Sequence, residues 1–206
     1  MGGARMMAQM RDNCVDLAFF DPQHRDVLNR QRYGNEGNRQ KGRASLPHMD
    51  PPTIQHFIGE IERVLKAGRY LMLWVDKYVA AERLWMRWMP EETRLKAVDF
   101  ICWYKGRIGM GRRSRGIAEY LIVLQLQPID GARWTDRSIP DCWVEGPWNK
   151  HPHSKPIGLI QRLIRATTKL GDLVLDPAAG GFVVLDACAT TTREFVGCDL
   201  IRSDTV

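Results

Sequence analysis

Apolar residues fall along this chain in two ways: short unbroken runs, and stripes spaced three and four residues apart. The first run, Val15 to Phe20, stops at Asp21-Pro22 and predicts a buried strand that ends in a loop. Residues 5–11 ahead of it read as a short helix. Pro51-Pro52-Thr53 opens a helical stripe (Ile54, Phe57, Ile58, Ile61, Val64, Leu65) that runs to about Lys66 and stops at Ala67-Gly68. Strands are predicted at Tyr70–Val75, Val98–Tyr104 and Ala118–Leu126, with a helix over 77–89 closed by Pro90. Lys155-Pro156 opens a helix to about Thr168. Leu173–Leu175 is then a strand, 182–189 a helix, and Glu194–Cys198 a last strand. Strands alternating with helices imply an α/β fold with a mainly parallel twisted sheet, flanked by helices and carrying one antiparallel strand.

Two stretches carry neither pattern. Residues 25–50 hold six Lys/Arg, three Asp/Glu and three Gly, which reads as a long mobile loop. Residues 127–154 are irregular and rich in Trp, Pro and Asp. At 206 residues the chain fits one domain, here divided into a half at 1–126, a small region at 127–150 and a second half at 151–206. The net charge of +6 and pI near 9.2 permit a polyanionic partner without requiring one. Five cysteines without a close CxxC pair fit reduced, mostly buried thiols in the cytoplasm. The first residues lack the apolar core of a signal peptide, and no run is long enough to span a bilayer. His151 and His153 stand two apart with no Cys or carboxylate pair nearby, so no metal is expected.

Chemistry is suggested at two places. Leu173 to Gly181, LVLDPAAGG, is a strand followed by a small-residue loop and a helix start, and Asp199 closes the next strand. Small residues there let backbone approach a ligand at a helix N-terminus, and an acid after the second strand can bind ribose hydroxyls. The same pattern also suits an ordinary tight turn. At the other end, Asp21 and the Pro22 carbonyl can each accept a hydrogen bond from one amino group, with His24 able to stack on a base. Asp-Pro is also a common turn or helix start.

Taken together the motifs are more specific. Val15-Asp16-Leu17-Ala18-Phe19-Phe20-Asp21-Pro22-Gln23-His24 resembles VDLIxTDPPY, the catalytic motif of the DNA amino-methyltransferases. The stretch from His151-Pro152-His153-Ser154-Lys155-Pro156 through Gly171-Asp172 to Asp176-Pro177-Ala178-Ala179-Gly180-Gly181-Phe182 resembles that family's HPTxKP…GDxVLDPFxGSG. Phe195-Val196-Gly197-Cys198-Asp199-Leu200 is similar to its FIGIEL. The order, catalytic motif first and cofactor motif last, is that of the circularly permuted group, and the resemblance covers nearly the whole chain.

The resemblance implies a Rossmann-like methyltransferase fold in which the two chain ends meet at the sheet's centre. It also implies S-adenosylmethionine as cofactor and an exocyclic amine of a flipped-out DNA base as acceptor. Asp21, Pro22, Gln23 and His24 would form the catalytic lip. Phe20, Asp21, Lys155, Asp176, Pro177, Ala178, Ala179, Gly180, Gly181, Phe182, Asp199 and Leu200 would line the cofactor site. Adenine-N6 is favoured over cytosine-N4 because Asp21 stands first in the part matching DPPY. The chain departs from the family at Gln23 for Pro, His24 for Tyr or Phe, Ala178 for Phe, Gly181 for Ser and Phe182 for Gly. Gly2-Gly3-Ala4 stands where the family often has GDA. These departures also fit a non-catalytic DNA-binding relative. Double-stranded DNA would meet Arg30, Arg32, Arg39, Lys41 and Arg43 after the catalytic motif, and Arg107, Arg112, Arg113 and Arg115 beside the strand 118–126. Trp134, Trp143 and Trp148 are expected to pack the small region rather than touch DNA. That region is small for reading a duplex site, so a homodimer is expected, in the cytoplasm of a bacterial or phage-infected cell.

Overall fold

A computed structural model describes residues 2–23, 49–109, 113–146 and 154–199. The strands are β1 (Val15–Phe20), β2 (Leu65–Val75), β3 (Leu95–Tyr104), β4 (Ala118–Leu126), β5 (Cys142–Val144), β6 (Leu173–Asp176) and β7 (Glu194–Gly197). The helices are α1 (Gly2–Ala8), α2 (Pro51–Val64), α3 (Lys77–Ala81), α4 (Ile157–Thr167) and α5 (Val183–Thr191). One sheet takes the order β5-β3-β4-β2-β1-β6-β7. Only β4 is reversed, being antiparallel to β2 and β3, while every other adjacent pair is parallel.

The first and last thirds of the chain meet because β1 lies between β2 and β6. Every residue of β1 is buried, which is why its sequence is a continuous apolar run and not an alternation. Ala18 and Phe20 face a core shared with α2, where Ile54, Phe57, Ile58 and Ile61 are buried. Leu17 and Phe19 face the opposite core, with Leu159, Ile160, Leu163 and Ile164 of α4 and Ala187 and Cys188 of α5.

Several element bounds differ from the sequence expectation, and each difference has a packing cause. Helix α1 starts at Gly2 because its backbone rests on the loop after β6: a Cβ at Gly3 would come 2.2 Å from the Pro177 carbonyl oxygen and 2.9 Å from the Phe57 ring. An aspartate in the GDA position would not fit there. Helix α2 is capped by Asp50, which accepts from the Thr53 N–H at 2.9 Å, but it ends at Val64 rather than Lys66. Leu65 pairs with Val15, so the ladder to β1 takes over from the helical stripe, and Gly68 sits inside the strand at φ +74°. The single helix expected over 77–89 breaks into α3 and a 3-10 turn at Leu84–Trp88. Arg83, in the left-handed region, redirects the chain so that Trp88 is buried in the α2-side core. Strand β5 arises inside the segment read as irregular. Of the cysteines only Cys188 is buried, which pushes its thiol up to about 12; Cys142 is exposed, and the other three are half-buried. The expected loop at 25–50 falls almost wholly outside the described residues.

Candidate active site

In a parallel sheet the strands release their loops at one edge, and a ligand is received where neighbouring strands diverge. Asp21 follows β1, and Asp176 ends the adjacent β6, so the two motifs open onto one edge. Asp176 is 6% exposed and accepts from the Ala178 N–H at 3.2 Å. Burial raises its carboxyl to about 7; the Ala178 N–H and Lys155 oppose the rise, while Asp21 and Asp199 add to it. The expected members Asp21, Lys155, Asp176 and Asp199 thus share one electrostatic neighbourhood.

The loop after Asp176 is tied to the end of β7. Cys198 N–H donates to the Asp176 carbonyl at 3.3 Å, and Ala179 N–H donates to the Cys198 carbonyl at 3.0 Å. This linkage brings Asp199 beside the motif. Gly180 turns at φ +49°, and Phe182 starts α5 at φ +56°, a backbone region that disfavours side chains with a Cβ and that the family's glycine would adopt freely. The Phe182 ring packs edge to face on Phe195, with centroids 6.4 Å apart. Pro177, Ala178, Ala179 and Gly181 complete this turn. Phe20, the last residue of β1, is fully buried, with its ring stacked on Phe57 at 5.5 Å in the core shared with α2.

Asp21 is 38% exposed, and its Oδ2 lies 2.8 Å from Lys155 Nζ. Lys155 is 12% exposed, sits 5.1 Å from the centre of the Trp74 ring, and makes a second contact at 2.8 Å with Glu119 of β4. Glu119 in turn meets Lys105 at 3.0 Å. Burial would lower the Lys155 ammonium; Asp21 and Glu119 reverse this and hold it above the ordinary lysine value. Burial would likewise raise Glu119, but Lys155 and Lys105 hold it down at about 2. Sequence reasoning missed Glu119 and Lys105. The only signal was a charged residue near the start of an otherwise apolar strand, and nothing local says what it faces.

Pro22 is buried, and the Gln23 carbonyl accepts from the Met49 N–H at 3.0 Å, closing the base of the intervening segment. Of the basic residues expected on DNA, Arg107, Arg113 and Arg115 are exposed between β3 and β4, at the same edge as Asp21. Arg115 donates to the Gly109 carbonyl, and Lys77 donates to Ser114. His24, Arg30, Arg32, Arg39, Lys41, Arg43, Arg112, Trp148 and Leu200 lie outside the described residues. Trp134 packs edge-on to Tyr70, and Trp143 lies under Arg162, so both pack as expected. Glu145 of the same region caps α4, accepting from the Gly158 and Leu159 N–H groups at 2.9 and 3.2 Å. Among the described residues no group of three or more His, Cys, Asp or Glu is arranged to hold a metal, and no helix is long and apolar enough to cross a membrane.

Comparison with known proteins gives this geometry a family. Residues 52–203 match the model of the N6/N4 DNA methylases. The chain is 48% identical over 207 residues to the type II methyltransferase M.HhaII of Haemophilus parahaemolyticus, covering 99% of this chain and 90% of that one. It is 21% identical to the type II methyltransferase M2.MboI of Moraxella bovis, over 94% of this chain and 78% of that one. Its fold is shared with the M1.HpyAVI–SAM complex (TM-score 0.65, 16% identity, 96% of this chain and 90% of that one). It is shared equally with the cytosine-N4-specific PvuII DNA methyltransferase (TM-score 0.71, 13% identity, 97% and 79%). The chain therefore belongs to the N6/N4 family of DNA amino-methyltransferases, site-specific enzymes that modify DNA, and it has their Rossmann-like fold.

Proposed function

We propose that this protein moves a methyl group from S-adenosylmethionine to the N6 amine of an adenine rotated out of double-stranded DNA. The observation that carries the reading is the joining of Asp21 and Asp176 at one sheet edge, with Lys155 between the two motifs. The residues fit the cofactor. Asp176 is a buried carboxylate held near neutrality, with two further acids beside it, and such a site suits a ligand that brings positive charge. Asp176 to Phe182 and Asp199 would hold it, with Leu200 following. When bound, the cofactor supplies an electrophilic methyl group on a sulfonium.

The protein's own part is positioning and electrostatics. Asp21 accepts a hydrogen bond from the target amine and the Pro22 carbonyl accepts the second, which keeps the nitrogen lone pair out of the ring and aimed at the methyl group. Gln23 and His24 complete the lip. Asp21, first in the part matching DPPY, favours adenine over cytosine-N4. The retention of Asp21, Asp176 and Asp199 supports an active enzyme over a non-catalytic DNA-binding relative. The chain works as one domain, and Arg107, Arg112, Arg113 and Arg115, with Arg30, Arg32, Arg39, Lys41 and Arg43, neutralise phosphates in the cytoplasm where its DNA lies. A homodimer supplies the second reading surface that residues 127–150 alone are too few to provide.

The test is Asp21→Ala, assayed on DNA with the modified nucleoside identified by mass spectrometry. Methylation is expected to vanish while S-adenosylmethionine still binds by calorimetry. Unchanged methylation overturns the role of Asp21, and N4-methylcytosine from the wild-type enzyme overturns the choice of base.

A further inference from the structure

We propose that Glu119, on the one reversed strand, is a positioning residue for methyl transfer, acting through Lys155 on Asp21; this rests on the reading of Asp21 as the group that receives the amine. The topology makes it available. Because β4 runs against its neighbours, its first residues lie where the parallel strands end, and Glu119 is brought to the edge that carries both motifs although it belongs to neither.

Glu119 is needed because Lys155 by itself works against the reaction. As the amine nitrogen bonds to the methyl carbon and the donor's carbon–sulfur bond breaks to leave a neutral thioether, the nitrogen is positive until it releases a proton to water, and the Asp21 carboxylate stabilises that charge. An uncompensated ammonium 2.8 Å from the same carboxylate opposes it. Lys155 is nonetheless useful as a tether, because Asp21 is partly exposed and an untethered carboxylate would sample many positions. Glu119 reconciles the two demands. Its Oε2 takes Lys155 at 2.8 Å and its Oε1 takes Lys105 at 3.0 Å, so both oxygens are engaged and the carboxylate is fixed. Lys155 is then held between two acids over the Trp74 ring, it occupies Oδ2 of Asp21, and Oδ1 is left for the amine. In the alternating row Lys105, Glu119, Lys155, Asp21 the charges cancel.

The experiment compares Glu119→Gln with wild type in single-turnover methylation. The rate is expected to fall about 10- to 100-fold, with the dissociation constants for S-adenosylmethionine and DNA changed by less than about twofold and melting within a few degrees of wild type. In the cofactor-free protein, lysine-selective NMR is expected to show Lys155 losing its proton at lower pH than in wild type. A wild-type rate overturns the proposal, as does a rate loss matched by lost cofactor affinity or a lost folded fraction. Should Glu119→Gln not fold, Glu119→Asp keeps the charge but shortens the reach. It is expected to slow transfer with binding intact, and a wild-type rate there overturns the proposal. Asp21→Ala run in parallel separates the two levels. If that variant is inactive while Glu119→Gln is not slowed, only the role of Glu119 falls; if both methylate normally, the reading of Asp21 falls with it.

Discussion

Strand β1 has an aspartate near each end, and the two are built for different purposes. Asp16, at the entry, is 2% exposed. Lys66 and Arg69 approach it at 2.7 and 2.9 Å, and it accepts from the Leu173 N–H at 3.2 Å. Arg69 also reaches Asp172 and the Thr167 carbonyl, so the entry cluster joins the first strand, the second strand and the last third of the chain. Asp21, at the exit, is 38% exposed and has one lysine on one of its oxygens. The entry carboxylate is enclosed and closes the fold; the exit carboxylate keeps bonding capacity in reserve. The same residue type is structural where two cations and a backbone N–H enclose it, even with Oδ1 left without a hydrogen bond, and chemical where it stays partly open to solvent.

The largest effect should come from the partly exposed partner. Asp21→Ala is expected to lower methyl transfer by about 10³-fold or more while leaving the melting temperature nearly unchanged, as measured by tritiated-methyl incorporation and a thermal melt. Asp16→Ala should behave in the opposite sense. It takes one of two acids from Arg69, leaves the half-exposed Lys66 to water and strips the Leu173 N–H of its acceptor, which costs about 1–3 kcal/mol, read by urea denaturation. Folded Asp16→Ala protein should still methylate at reduced temperature. Equal loss of activity and stability in both variants would erase the distinction.

Asp176 sharpens the comparison through pH. Its folded value, about 7, lies above the ordinary carboxylate value of 3.8, so the folded state holds the proton more tightly. The resulting stabilisation is complete below about pH 4 and is lost as pH rises through 7. Cofactor-free protein is expected to lose on the order of 3 kcal/mol from this group between pH 5 and 8. That slope should be absent in Asp176→Asn, as measured by melts across the range. The smallest effect belongs to Glu145, a saturated carboxylate at the functional edge. Removing its cap from α4 with Glu145→Ala should cost about 1 kcal/mol, visible as a few degrees in melting. Only a slight slowing of transfer is expected, since α4 begins two residues after Lys155.

Much of the fold was legible where one local rule governed. β1 and β4 follow their apolar runs to the residue, and β6 and α4 differ from expectation by one or two residues at their ends. Elsewhere a partner distant in sequence overrode the local pattern. Leu65 left a helical stripe because Val15 offered a strand ladder, and Trp88 pulled a single helix into two pieces. The cofactor motif could be read because its small residues, its Asp176 and its spacing to Asp199 are contiguous. Phe20 shows the limit of such reading: its place beside the motif does not tell that its ring stacks on Phe57 in the core.

What the sequence determined by itself is most of the elements, their alternation and the two motifs, since each depends on residues within a few positions of one another. Tertiary structure alone decided which charges meet. Lys105, Glu119, Lys155 and Asp21 are separated along the chain by as much as 134 residues and share no pattern. They converge because a single reversed strand returns its first residues to the edge where the parallel strands end, and Coulomb attraction depends on distance in space and not along the chain.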